Sequence, residues 1–420
     1  MQGLFCLPSF RAELPMNIFV IPSWYPSEDY PISGNFIPEQ LWALSRSYPD
    51  LNIGVSLWGQ KDKACLLWAN EPLQSIAKII RAARTPVTIK KANNFREYVK
   101  PAFTWSRKIL NGNKRNILRA NLYNLRAFER DYGPVDLIHA HCEDPAGYFA
   151  MKLAHRVQKP YCITEHMGPF PSCYTTNKHG KLTDEHLLPY TLASPNIAVS
   201  PFLSAEMERH NIRTVVVPNF IDENIFKPHS KSRQPGQTFT FFTLADIRTL
   251  KGIDHLLYAI KLLADDVPAM AFRIGGDGPQ LKQYKALALQ LGLTEKVTWL
   301  GEISREKAVE EFQNCDAFVL PSLYESMGIV YIEALACGKP IIATRCGGPE
   351  STVTLQNGLL VAKNNPEELA QAIRQLALNY NSYDSKVIRQ DFLNRFSATA
   401  VLPRLVELYQ HIIENHKAKP

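Results

Sequence analysis

The stretch from Pro321 to Glu350, P-S-L-Y-E-S-M-G-I-V-Y-I-E-A-L-A-C-G-K-P-I-I-A-T-R-C-G-G-P-E, constrains the fold more than any other part of the chain. An apolar run from Ala317 to Leu320 precedes it and reads as a buried strand. The polar loop Ser322 to Ser326 then leads into an apolar-rich segment, Met327 to Ala336, that reads as a helix. Gly338-Lys339-Pro340 stops that helix, and Ile341 to Thr344 reads as the next strand, which places Gly347-Gly348 on a second loop at the same sheet edge. This is the order of an α/β unit, in which ligands meet the loops at the carboxyl ends of the strands. Glu325 and Glu333 stand eight residues apart. On a helix that spacing puts two carboxylates two turns apart on nearly one face. In isolation such a pair reads as a solvated helical face; the flanking glycine loops and apolar strands move it to the ligand edge.

The rest of the chain repeats the pattern. Met16 to Trp24 reads as a first strand, followed by the loop S-E-D-Y-P-I-S-G-N-F and a helix opening near Pro38. Gly34 in that loop could let backbone approach a phosphate or sugar, or could simply serve a turn. Val135 to His141 is a strand and Gly147 to Val157 a helix. Pro160 to Thr164 is a short buried strand that ends in Glu165-His166-Met167-Gly168, so His166 falls just past a strand end. Strand burial accounts for His139 and His141 better than metal ligation, which would need a third partner. After the polar, turn-rich segment 229–237, which reads as a linker, Thr238 to Ala245 begins a second series. It carries Arg248, Lys251 and Gly252 on its first loop and Gly275-Gly276-Asp277-Gly278 on its second. The latter lacks the G-x-G-x-x-G spacing of a dinucleotide site, which disfavours hydride transfer. Lys251 and the backbone N–H groups at helix starts call for a phosphate-bearing ligand.

At 420 residues the chain is too long for one core, and two α/β domains are expected. No run of 18 apolar residues is present, and residues 1–15 read as an extension and not as a signal peptide. Eight cysteines without C-x-x-C pairing read as reduced, cytosolic residues. The net charge of +7 is uneven: between Lys78 and Arg130 fourteen Lys and Arg face two acids, Glu97 and Glu129. Aromatics interleaved with this basic segment (Phe95, Tyr98, Phe103, Trp105, Tyr123, Phe128) suit an interfacial helix on an anionic membrane surface. A plain solvated face is the competing reading. No nucleic-acid-binding motif accompanies the charge, so nucleic acid is not expected as a partner.

The two glutamates with A-C-G-K-P-I-I-A-T and G-G-P-E, the G-G-D-G-P loop, Val217-Pro218-Asn219 with Asp222 and Phe226, and N-G-L-L-V together resemble the retaining glycosyltransferases of family 4. The resemblance covers essentially residues 16–415. It implies the α/β GT-B fold, two Rossmann-like domains with parallel sheets facing across a cleft: 16–228 on the acceptor side and 238–397 on the donor side. The C-terminal helix, 398–420, would pack back on the first domain. It also implies transfer of a hexose-type sugar from a nucleotide-sugar donor to a saccharide or lipid-linked acceptor, in polysaccharide or glycolipid synthesis. No cofactor and no metal is implied, in keeping with the absence of an Asp-x-Asp pair.

By the same resemblance Glu325 approaches the donor sugar's hydroxyls, Lys251 neutralises the diphosphate, and His166 contacts the transferring sugar, these three forming the catalytic set. Glu333 holds the ribose, and Gly34, Arg248, Gly276, Ser326, Met327, Gly328 and Ile329 complete the donor site. One departure stands out: Asp246 occupies the place where the family carries an Arg, and Arg248 is expected to supply the charge from a shifted position. The competing functions are a sugar epimerase or phosphorylase of the same fold and a silent sugar-nucleotide-binding scaffold. The expected location is cytoplasmic, peripheral on the inner face of the cell membrane.

Overall fold

A computed structural model describes residues 15–60, 76, 86–103, 113–229, 236–263 and 269–418. The extension (1–14), the linker core (230–235) and parts of the basic segment (77–85 and 104–112) lie outside them.

Two sheets form, one from each half of the chain. The first runs β3-β4-β2-β1-β5-β6-β7-β8. Its strands are β1 (Met16–Pro22), β2 (Leu51–Leu57), β3 (Val87–Lys90), β4 (Phe95–Val99), β5 (Leu137–His141), β6 (Tyr161–Glu165), β7 (Asn196–Ala198) and β8 (Thr214–Val216). All pairs are parallel except β3 with β4. The second sheet is wholly parallel, in the order β11-β10-β9-β12-β13-β14. Its strands are β9 (Phe239–Leu244), β10 (Met270–Gly275), β11 (Val297–Gly301), β12 (Ala317–Leu320), β13 (Ile341–Thr344) and β14 (Gly358–Val361). Parallel sheets are covered on both faces, which is why β12 and β13 are continuous apolar runs with every residue buried.

The covering helices of the first half are α1 (Phe36–Ser47), α2 (Lys114–Tyr132), α3 (Tyr148–Val157), α4 (Asp184–Leu192) and α5 (Pro201–Glu208). Those of the second are α6 (Ile253–Leu262), α7 (Leu281–Gln290), α8 (Arg305–Asn314), α9 (Ile329–Ala336), α10 (Pro366–Leu378) and α11 (Ser385–Arg395). Aromatics fill both interiors. Phe128 on α2 packs 5.6 Å from Phe19, and a Cβ on Gly54 would meet its ring at 2.3 Å. In the second half Phe241 stacks on Phe272 at 5.2 Å, beside a cluster of Phe242, Phe312 and Phe318. Each such buried ring contributes roughly 1.5–3 kcal/mol of hydrophobic free energy. The last helix, α12 (Ala398–Lys417), lies against the first sheet: Val401, Leu402, Val406, Ile412 and Ile413 share a core with Ile18, Val20, Leu41 and Leu44.

Three sequence expectations are corrected here. The helix expected from Met327 begins at Ile329, because Gly328 takes the left-handed conformation (φ +84°) as its N-cap. Glu325 therefore sits in the preceding loop, bridged to Gly347, and does not share a helical face with Glu333. The described basic segment is not one interfacial helix either: it forms β3, β4 and α2. Phe95, Tyr98 and Phe128 are core residues: Phe95 and Tyr98 point to opposite faces of β4, and helices cover both faces, Phe95 packing on Trp42 of α1 and Tyr98 on Phe128 of α2. Among the described aromatics of this segment Tyr123 is exposed, with Lys100 Nζ 5.5 Å from its ring centroid, and Phe103 is partly buried; Trp105 lies outside the described residues. Finally, α4, α5 and α11 were not anticipated; α4 and α11 carry too few regularly spaced apolar residues to show a helical stripe.

Candidate active site

In the second sheet the strand order reverses at β9, whose neighbours are β10 and β12. The crevice between the loops after β9 and β12 is where such sheets bind ligands, and Lys251 and Glu325 come from those two loops. Lys251 Nζ donates to Glu325 Oε1 at 2.7 Å, and Ser322 Oγ donates to the same oxygen at 2.8 Å. Glycine makes this approach feasible. Gly252 has φ +62°, and a Cβ there would lie 2.1 Å from the Pro321 carbonyl oxygen, so the two loops can touch only with hydrogen at that position. Gly276 is held in the same way, its absent Cβ facing Ala245 O at 1.8 Å. Gly347-Gly348 closes the far side: Gly348 N donates to Glu325 O at 2.8 Å, and a Cβ on Gly348 would meet Met327 Cα at 2.4 Å.

The loop before α9 also faces the first domain. Ser326 Oγ donates to the His166 carbonyl oxygen at 2.8 Å, while Ser200 Oγ, the N-cap of α5, donates to Ser326 O. Met327, 1% exposed, receives the Asn219 N–H on its sulfur at 3.3 Å. Tyr324 accepts from Phe170 N at 3.2 Å and lies so close to Gly168 that a Cβ there would meet its ring at 2.2 Å. His166 is thus brought next to the residue that follows Glu325, although 160 positions separate it from Ser326. Of the expected catalytic set, Lys251 and Glu325 touch directly, and His166 joins them only through the contact of its backbone carbonyl with Ser326.

The first-domain side is built on Glu165. Its Oε1 accepts from the N–H of His166 at 2.9 Å and Met167 at 2.7 Å, and its Oε2 accepts from Glu143 N at 3.1 Å and from the Tyr190 hydroxyl. One buried carboxylate therefore fixes the loops after β5 and β6. Glu143 is 2% exposed, and burial pushes its carboxyl up to about 7, opposed by its contact with His186 at 2.8 Å. The His186 imidazole is in turn raised: burial lowers it, but Glu143 and its acidic neighbours outweigh that.

The remaining predicted site residues fall out differently. Glu333, 2% exposed, is engaged by Arg305, which also grips Glu39 of α1 in a two-pronged pair at 2.7 and 2.6 Å. Arg305 sits at the first turn of α8, whose N-cap Ser304 accepts from Lys307 N at 3.2 Å, and its guanidinium carbon lies 4.5 Å over the Phe226 ring. This guanidinium joins the two domains. Burial pushes the Glu39 carboxyl above its ordinary range, against the pull of Arg305. Arg248 is turned to Asp246, its Nε 2.5 Å from Oδ2, with both side chains more than half exposed. Gly34 is in a turn (φ +66°) with its missing Cβ against Trp24 at 2.3 Å. Gly328 packs on Tyr331, and Ile329 opens α9.

Glu39, Arg305, Glu143, His186, Ser322 and Tyr324 were missed in the sequence. Arg305 follows Gly301-Glu302-Ile303-Ser304, where a Ser before a charged segment signals a helix start, but nothing local marks its two carboxylate partners. Among the described residues no three His, Cys, Asp or Glu side chains form a metal-ligand set, and no helix is long and apolar enough to cross a membrane.

Comparison with known proteins locates this geometry. The family profile for glycosyl transferases group 1 matches residues 224–390, and that for glycosyltransferase family 4 matches residues 90–225. An uncharacterised glycosyltransferase of Methanocaldococcus jannaschii is 29% identical over 247 residues, 58% of this chain and 66% of that protein. The D-inositol 3-phosphate glycosyltransferase of Corynebacterium jeikeium is 33% identical over 181 residues, 39% of this chain and 43% of that one. The chain thus spans less than two thirds of the length of these curated relatives. Among solved structures, sucrose-phosphate synthase from Thermosynechococcus elongatus superposes with a TM-score of 0.72 at 20% identity, covering 95% of this chain and all of that one. Anabaena HepE, solved with UDP and glucose, gives a TM-score of 0.65 at 17% identity, covering 94% of this chain and all of that one. These likenesses identify the fold as GT-B. With two adjoining profile matches running from residue 90 to 390 and two facing parallel sheets, the chain belongs to the group 1, family 4 glycosyltransferases.

Proposed function

We propose that the protein is a retaining glycosyltransferase that moves a hexose-type sugar from a nucleoside-diphosphate donor to a saccharide or lipid-linked acceptor. The observation that carries this reading is the Lys251–Glu325–Ser322 cluster at the reversal point of the second sheet, in contact through Ser326 with the His166 loop. The bound UDP and glucose of HepE lend support to a nucleotide-sugar ligand. When the glycosidic bond breaks, negative charge collects on the departing diphosphate. Fixed positive charge and oriented N–H groups beside it stabilise that transition state. Lys251 supplies the charge, and the backbone at Ser326, Met327, Gly328 and Ile329, at the start of α9, supplies the N–H groups. Glu325, already fixed by two hydrogen bonds, is oriented to accept from sugar hydroxyls. Gly276 and Gly34 keep the flanking loops close. In this reading Glu333 receives the ribose once Arg305 yields it, and no metal takes part.

The test is a thermal-shift screen of nucleotide sugars followed by turnover with the donor that stabilises the fold, since a bound donor raises stability by mass action. Lys251→Ala and Glu325→Ala are each expected to lower turnover at least 100-fold with the melting profile intact, and EDTA is expected to have no effect. Full turnover in either variant refutes the site. The anomeric configuration of the product, read by NMR, decides between retention and inversion. Phosphate-dependent release of sugar phosphate would point instead to a phosphorylase. The Asp246–Arg248 pair, which leaves the donor loop with less free charge, favours the silent-scaffold reading; donor binding without turnover on any acceptor would establish it. A membrane partner is carried by charge alone, through residues such as Lys90, Lys100, Arg115 and Arg119, and predicts salt-sensitive sedimentation with anionic liposomes.

A further inference from the structure

Strand β5 and the loop after β6 hold three imidazoles in a row: His139 and His141 on the strand and His166 on the loop. His139 Nδ1 meets the Tyr409 hydroxyl at 2.7 Å, and its Nε2 meets Thr164 Oγ1 at 2.7 Å, so both its nitrogens are occupied. The next two rings are different. His141 Nδ1 lies 2.9 Å from His166 Nε2, with the ring planes 12° apart and the centroids 5.2 Å apart. The outer nitrogen of each ring, His141 Nε2 and His166 Nδ1, is shielded from solvent and has no hydrogen-bond partner.

Burial holds both imidazoles below their ordinary range, His141 down to about 3, so both are neutral. Two neutral rings in contact share one proton across the N···N bond. If His166 donates, its outer nitrogen is bare, and the orphaned N–H is His141 Nε2–H, buried behind the pair. If His141 donates, the His166 proton sits on Nδ1, the nitrogen on the side away from His141. Only the second arrangement gives His166 a donor for a ligand oxygen, and phosphate oxygens carry no proton of their own to offer. Phe36 covers one side of His166 at 5.0 Å, and Glu165 fixes its backbone N–H, so the ring has little freedom to turn over.

We infer that His141 is a positioning residue that donates from Nδ1 to His166 Nε2 and thereby fixes His166 as the Nδ1–H tautomer, so that the proton lies on the outer nitrogen, shielded from solvent in this state and able to donate to a sugar or phosphate oxygen brought against it. The inference rests on the proposed donor site, but its first test does not. A long-range proton–nitrogen spectrum of the full-length protein with 15N-labelled histidine, with the His166 signals identified by their loss in His166→Gln, reads the tautomer directly. The Nδ1–H form is expected at His166 in the wild type. It should persist in His141→Asn, whose amide N–H stands where Nδ1–H stood, and should be lost or averaged in His141→Leu. An Nε2–H form in the wild type, or a tautomer indifferent to His141→Leu, overturns the assignment whether or not the protein turns over a sugar. The second test uses the donor found active: His141→Leu is expected to lower kcat 10-fold or more with the donor KM within 2-fold, and His141→Asn to restore most of it. Equal loss in both variants overturns the positioning role.

Discussion

Arg305 offers the sharpest test of how the two domains are joined. Its guanidinium serves Glu39 of the first domain and Glu333 of the second, both largely out of water. Arg305→Met keeps much of the side chain's apolar volume over Phe226 and removes the charge. Breaking a buried ion pair by deleting one partner costs about 3–5 kcal/mol, because the remaining charge is left uncompensated. Here Arg305 and Glu39 keep about a fifth of their side-chain exposure, which favours the lower end of that range. Two carboxylates would then face each other without a cation, and like charges about 5 Å apart repel by roughly 3 kcal/mol at an effective dielectric of about 20.

One of them escapes by protonation. Glu39, already raised by burial, is the first candidate. A carboxyl whose folded pKa lies above its unfolded value contributes stability that is present at low pH and lost as pH rises through the folded pKa. The penalty of Arg305→Met should therefore be largest near pH 8 and shrink toward pH 5. Urea unfolding of wild type, Arg305→Met, Glu39→Gln and the double variant at pH 5, 7 and 8 completes a cycle. We expect a loss of about 3 kcal/mol at pH 8 for Arg305→Met, and recovery of at least half of it when Glu39→Gln is added. Glu39→Gln alone should cost less than 1.5 kcal/mol, since its surroundings already oppose its charge. A pH-independent loss, or one under 0.5 kcal/mol at pH 8, refutes the reasoning.

Two further predictions follow from the same geometry. Glu143 and His186 both have folded pKa values above their ordinary ones, so their contribution is present at acid pH and is lost as pH rises, for Glu143 through about 7; Glu143→Gln should flatten the stability profile between pH 6 and 8, measured by the urea midpoint. Asp246→Asn should release Arg248 toward the donor loop, lowering the KM for a nucleotide-sugar donor several-fold while shifting stability by less than about 0.5 kcal/mol, as expected for an exposed pair.

Much of the second sheet was legible because parallel strands buried on both faces leave continuous apolar runs, and because glycines forced by close backbone contact stand out between them. Gly276 and Gly252 are cases in which the residue type reports a distance to a carbonyl oxygen. Lys251 and Glu325 could each be put on a loop after a strand, and the family resemblance gave them one site; that the two strands flank the reversal point and the side chains touch came from the structure. The Arg305 bridge at Glu333 was not legible, since Arg305 lies 28 positions from Glu333 and 266 from Glu39 and the three residues carry no shared pattern. The basic segment misled because composition does not say which side of an element a residue occupies. Phe95 and Tyr98 look like membrane anchors among Arg96 and Lys100, yet they sit on opposite faces of a strand that helices cover on both sides, while Arg96 pairs with Asp131. The Asp246–Arg248 pair shows the converse: the sequence raised the question of a displaced charge, and only the side-chain geometry turns that charge toward its own neighbour.

The return of α12 to the first sheet means that the polypeptide passes between the domains twice. The two passages run side by side: Ile221 N donates to Phe396 O at 3.0 Å, and Ala398 N donates to Ile221 O at 3.1 Å. A body tied to another by one strand can swivel in any direction, whereas two adjacent ties share an axis and leave one easy rotation, like a door on paired hinges. Any opening of the cleft is expected to follow that axis, which would bring the Lys251 and His166 loops back together on closing. The second tie also makes the join tolerant of damage: a break in either passage leaves the other, and with it the shared core of α12 and the first sheet, to keep the two halves together.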